Sequence, residues 1–137
     1  MTNTVIPGVQ EVQLSGQICC DSPFPAVFQA GAKLEQDMEL VADWFRAHRQ
    51  ALLELLAESG ALLLRGLPIR SDQDFDLVMR SLDQENFSYG ESLSNAVRHN
   101  RTERVFTANE APPDVEIYFH HEMAQTPLFP SKLAFYC

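Results

Sequence analysis

Between Glu35 and Ser59 the positions Val41, Trp44, Phe45, His48, Leu52, Leu55 and Leu56 recur at i, i+3, i+4, i+7, i+11, i+14 and i+15. That spacing lays one stripe along a helix, and Gly60 suits the left-handed turn that ends it. His48 lies within the stripe, where a lone imidazole reads as a packed, hydrogen-bonded core residue rather than a ligand. The run Gly60-Ala61-Leu62-Leu63-Leu64-Arg65-Gly66 is too short for another helix and too apolar for a surface loop, so it is predicted to be a buried strand closed by glycine. Ser71 then offers an N-cap, and Phe75, Val78, Met79 and Leu82 supply the apolar face of a second, shorter helix. Upstream, Val9, Val12, Leu14 and Ile18 suggest short strand-like pieces interrupted by Pro23 and Pro25, an irregular arm over residues 1–34.

Downstream of the second helix the pattern changes. Phe87 to Asn109 is polar and loop-like, with Tyr89-Gly90 and Ser94-Asn95-Ala96-Val97-Arg98 ahead of a short predicted strand from Arg104 to Thr107. Glu110-Ala111-Pro112-Pro113 reads as a turn or rigid lead-in, because proline cannot donate to a sheet ladder. Val115, Ile117 and Phe119 then alternate with Glu116, Tyr118 and His120, the period of a strand with one apolar and one functional face. Extended by one step, the phase brings His120 and Glu122 to the same side and turns His121 away. Their Cβ atoms would stand roughly 6.5–7 Å apart, and across that gap an imidazole and a carboxylate can converge on one metal. Glu116 and Tyr118 share the face and are candidate substrate-binding residues, the plainer alternatives being a strand-end charge and an aromatic wall. The zinc-protease pattern His-Glu-X-X-His is excluded, since it would need His at the position of Gln125. Leu133 to Cys137 reads as a further buried strand.

The 137 residues suit one domain, divided by pattern into the arm 1–34, a helix-strand-helix segment 35–82 and the segment 83–137 that carries the candidate chemistry. A net charge of −9 lacks the basic stripe that nucleic acid requires and disfavours an anionic membrane surface. The N-terminus has neither a basic start nor a long apolar stretch, and no later segment reaches a membrane-spanning length, so a soluble cytoplasmic protein is expected. Three cysteines, with Cys19 and Cys20 adjacent, make a poor disulfide framework and show no zinc spacing, and all three read as ordinary thiols.

His120-X-Glu122, followed by Met123-Ala124-Gln125-Thr126-Pro127-Leu128-Phe129-Pro130 and the apolar run from Lys132 to Cys137, resembles the iron(II)/2-oxoglutarate dioxygenases of the TauD/TfdA and clavaminate synthase-like group. The segment Gly60 to Leu82 resembles the same family. The resemblance implies an α+β chain forming the N-terminal half of a double-stranded β-helix, or jelly roll, with flanking helices, a single incomplete domain. It implies a 2-His-1-carboxylate site in which His120 and Glu122 are two of the three iron ligands. The third ligand, a later His, and the Arg that grips 2-oxoglutarate are expected beyond Cys137. The cosubstrates would be 2-oxoglutarate and molecular oxygen and the substrate a small molecule. The similarity to SyrP-type enzymes of natural-product pathways points to a free or carrier-bound amino acid. In that branch Ser-Pro-Arg precedes a strand with Thr; here Asn95-Ala96 stands where Ser-Pro would be, so Arg98 reads evenly as a solvated surface charge or as a residue lining the substrate entrance. Glu122, present where related halogenases carry a small residue, favours hydroxylation or desaturation. The isolated chain is expected to be inactive and to self-associate through open strand edges. The alternatives are a non-catalytic truncated paralogue or half-barrel that binds a partner, and a cupin-like metal hydrolase.

Overall fold

The structure, a computed structural model, describes residues 5–19, 23–87, 98–108, 110–124 and 126–137. It divides into two compact units, Met1–Asp83 and Gln84–Cys137. The expected features at Tyr89-Gly90 and Ser94-Asn95-Ala96-Val97 lie outside the described residues.

In the first unit β1 (Val9–Glu11) pairs antiparallel with β4 (Ala26–Ala30), which pairs parallel with β5 (Leu62–Arg65), giving the order β1-β4-β5. A parallel pair needs a long crossover, and α1 (Met38–Ser59) supplies it between β4 and β5. A separate two-stranded ribbon joins β2 (Ile18–Cys19) to β3 (Pro23–Phe24). Asp37 caps α1, its Oδ1 accepting from the Glu39 and Leu40 amides, and Gly60 ends it at φ 77°, a left-handed conformation that glycine adopts without a Cβ penalty. Val41, Trp44, Phe45 and Leu52 of α1 are buried against Ile6, Ala30, Leu34 and Val78. The Trp44 indole N–H donates to the Pro7 carbonyl at 2.5 Å, and a Cβ at Gly8 would meet that same indole nitrogen at 3.0 Å. His48 is a half-buried packing residue whose Nδ1 donates to the Trp44 carbonyl at 2.8 Å.

Two expectations are corrected here. Leu62–Arg65 forms the strand foreseen, but it is an edge strand with alternating exposure rather than a buried one, and Leu63 is 38% exposed. The buried central strand is instead β4, inside the segment read as an irregular arm; Pro25 immediately before it masked a run of only five residues.

Helix α2 (Asp72–Ser81) begins at Ser71, whose Oγ accepts from the Asp74 amide at 3.1 Å while Asp74 Oδ2 accepts from the Arg70 amide at 3.0 Å. Ser71→Ala is expected to lower the unfolding free energy by about 1 kcal/mol, checked by urea denaturation. The hydrogen bond from the Arg70 backbone, and after it the one with the Ser71 hydroxyl, holds the Asp74 carboxyl below its ordinary range. A depressed folded value means that this stability is fully present above the ordinary Asp range and is lost as pH falls through the folded value. Asp74→Asn should therefore flatten the acid limb of a stability–pH curve.

In the second unit the described residues form no strand longer than the isolated antiparallel bridge Asn100↔Phe106. The predicted strand at 115–119 is thus absent, as is the one at 133–137. Val115, Ile117 and Phe119 are half or more exposed, and Glu116, Tyr118 and His120 of the opposite parity are exposed as well, so the foreseen apolar face is uncovered. The physical reason is that a strand exists through its ladder, and no strand lies beside 115–119 among the described residues. The predicted turn at Pro112-Pro113 is present, closed by the Val115 amide donating to the Pro112 carbonyl at 2.9 Å. Among the described residues no helix is long and apolar enough to cross a membrane.

Candidate metal centre

The second unit brings three of the five candidate residues together. Its scaffold is a tight hairpin from Arg98 to Thr107. The Arg101 and Thr102 amides donate to the Val105 carbonyl, Thr102 Oγ1 accepts from the Arg104 and Val105 amides, and Thr107 N–H donates to His99 O at 2.9 Å. Val105 is buried, and Arg104 reaches back to the Gln84 carbonyl at 2.9 Å. The base of this hairpin carries Arg98, whose NH2 donates to Glu122 Oε1 at 2.8 Å and whose NH1 approaches the Thr107 carbonyl at 3.4 Å.

Glu122 opens a turn in which Ala124 N–H donates to His121 O at 3.2 Å. Met123 sits at φ 57° and is almost wholly buried. A non-glycine residue in that conformation is held by its surroundings. Here the Thr126 amide and hydroxyl both donate to the Met123 carbonyl at 3.0 Å, and the hydroxyl also meets the Leu128 carbonyl at 2.5 Å. The turn therefore fixes where the Glu122 side chain leaves the backbone.

His120 Nδ1 lies 2.7 Å from the Tyr118 carbonyl. A carbonyl only accepts, so Nδ1 carries a proton, and in a neutral ring the lone pair then falls on Nε2. Nε2 stands 3.9 Å from Glu122 Oε2. An imidazole nitrogen and a carboxylate oxygen at this separation can share a cation, either a proton on Nε2 or a metal ion. Nitrogen and oxygen donors bind such ions at about 2.1 Å, so one ion between them can touch both, and neighbouring positions on an octahedral ion require the two atoms to close by roughly 1 Å. A backbone carbonyl holding the second imidazole nitrogen is the usual support for a metal-binding histidine. The donor set thus fits a divalent first-row metal. Among the described residues no group of three His, Cys, Asp or Glu gathers as a metal site.

Glu116 and Tyr118 form a pair of their own, Tyr118 Oη donating to Glu116 Oε2 at 3.0 Å on an exposed stretch, and Tyr118 meets the site through its carbonyl. His121 is exposed. His99 pairs with Glu110 at 3.2 Å, both side chains being largely solvated, a contact of small energetic weight. What the pattern of residues did not reveal is the pairing of Arg98 with Glu122 across 24 positions. Opposite charge is its only trace in the sequence.

Residues 22–137 match the model of the family described as Taurine catabolism dioxygenase TauD, TfdA family. A clavaminate synthase-like protein of Arabidopsis thaliana is 42% identical over 119 residues, covering 84% of this chain and 36% of that protein. The dapdiamide synthesis protein DdaC of Enterobacter agglomerans is 36% identical over 83 residues, covering 61% of this chain and 25% of that protein. The chain therefore spans about a third or less of the length of these curated relatives.

Proposed function

The chain belongs to the TauD/TfdA dioxygenase family, a jelly-roll family, and from that membership we propose that it carries two of the three iron(II) ligands, His120 and Glu122, of a 2-oxoglutarate-dependent oxygenase. The observation that carries the reading is His120 Nε2 standing 3.9 Å from Glu122 Oε2, with Nδ1 tied to a backbone carbonyl. Iron(II), when bound with 2-oxoglutarate and oxygen, supplies the oxidising power that removes hydrogen from an unactivated carbon. The chain's own residues do the rest: His120 presents a neutral nitrogen, Glu122 contributes a negative charge that matches the ion, and the Met123–Thr126 turn holds the carboxylate in place. The third ligand and the cosubstrate-binding cation are assigned to the part of the fold that the longer relatives possess. Two protein ligands hold a metal far less well than three, so 137 residues alone should bind iron weakly and turn over nothing.

The proposed substrate is a small molecule, with a free or carrier-bound amino acid the leading class, and the proposed setting is cytoplasmic. Glu116 and Tyr118, with polar tips on the run that leads into His120, are proposed to face the substrate. Because Glu122 fills the carboxylate position, no coordination site is left for halide. Mass spectrometry of products formed in excess chloride should show a gained oxygen atom or the loss of two hydrogens and no chlorinated species. A chlorinated product would remove Glu122 from the ligand set.

A further inference from the structure

We propose that Arg98 is a positioning residue for Glu122: it holds Oε1 so that the carboxylate offers Oε2, and that oxygen alone, to a metal shared with His120. The inference rests on the metal reading above. It is carried by the division of labour between the two carboxylate oxygens, since Oε1 lies 2.8 Å from the Arg98 guanidinium while Oε2 is the one that faces His120 Nε2. An arginine competing with the metal would sit on the oxygen nearer the imidazole. The pair is also well sheltered, with side chains 14% and 20% exposed, whereas the chain's surface pair Arg46–Asp43 stands at 51% and 72%. A sheltered charge-assisted bond fixes geometry in a way that a solvated one does not.

The guanidinium is itself held. Its NH1 approaches the Thr107 carbonyl, and Thr107 in turn closes the hairpin base by accepting the His99 amide on Oγ1 at 2.9 Å and donating its own amide to His99 O. Hairpin, arginine, carboxylate and turn thus form one chain of contacts that starts at backbone hydrogen bonds and ends at the metal-facing oxygen. The role differs from lining a substrate entrance, because Arg98 acts through Glu122.

Simple electrostatics and positioning predict opposite signs, which makes the idea testable. Removing a cation from beside a metal site should tighten cation binding if charge alone mattered; removing the group that orients a ligand should loosen it. In the full-length protein, cobalt(II) is titrated as an iron surrogate, following its d–d absorption, in wild type, Arg98→Met, Arg98→Lys and His120→Ala. Positioning predicts that Arg98→Met weakens cobalt binding about 10–100-fold, the usual cost of losing an outer-shell partner, and alters the absorption bands as the carboxylate changes its binding mode. Arg98→Lys, which keeps the charge but not the planar fork, should recover part of the affinity. Affinity equal to or tighter than wild type in Arg98→Met overturns the proposal. Should that variant not fold, as judged by its thermal transition, Arg98→Lys decides, and wild-type affinity and bands there overturn it. If wild type fails to bind cobalt, or His120→Ala binds it equally well, the metal reading itself falls and takes this inference with it. Failure in the arginine variants alone leaves that reading standing.

Discussion

Replacing His120 or Glu122 with alanine is expected to abolish iron(II) binding by the full-length protein, while His121→Ala leaves it essentially unchanged. The three residues are consecutive in sequence, so the contrast tests geometry rather than composition. In the proposed site His120 is oriented by its Nδ1–H, which donates to the Tyr118 carbonyl at 2.7 Å, and its Nε2 stands 3.9 Å from Glu122 Oε2. His121 contributes its carbonyl to the following turn, and its ring is exposed. In the proposed site the loss of either side chain removes one of three protein ligands and should cost more than the roughly 10–100-fold typical of an outer-shell partner. Calorimetric titration under anaerobic conditions would read the difference. Equal losses for His120→Ala and His121→Ala would mean that the imidazole assignment is wrong.

The second large effect concerns solubility. The 137 residues expressed alone are expected to self-associate, because the second unit leaves Val115, Ile117 and Phe119 on one run and Leu133, Phe135 and Tyr136 on another at 39% exposure or more, with Phe119 fully exposed. Soluble monomers seldom present so many large apolar side chains. The longer relatives supply the natural cover in this account. Size-exclusion chromatography and dye binding should show oligomers that bind hydrophobic probes, and Ile117→Glu combined with Phe135→Glu should shift the population toward monomer. A sharp monomeric peak with cooperative unfolding would show that the exposed runs are not sticky and would undercut the reading of an uncovered face.

Legibility in the sequence followed the range of the interactions involved. Both helices could be read with their caps because periodicity, Ser71 and Gly60 are local signals that act within one or two turns. β4 was not legible, since its identity as the central strand depends on pairing with β1 and β5, which lie on either side of it in sequence. The alternation at 115–119 is real as a pattern, but a pattern makes a strand only where a ladder partner exists. His120 and Glu122 come within 3.9 Å of each other although the strand expected to align them is absent, and their role as ligands is the proposal made above. Arg98 could not, because its place beside Glu122 depends on the Arg98–Thr107 hairpin and the Met123 turn, two irregular structures held by specific backbone bonds.

The most direct test of the central claim is a 2-oxoglutarate decarboxylation assay on the full-length protein, with and without iron(II), in wild type and in His120→Ala and Glu122→Ala. The account predicts release of carbon dioxide and succinate that requires iron and oxygen and vanishes in both variants. Turnover that persists without His120 or Glu122, or a well-folded, iron-supplied wild type that consumes no 2-oxoglutarate, would contradict it.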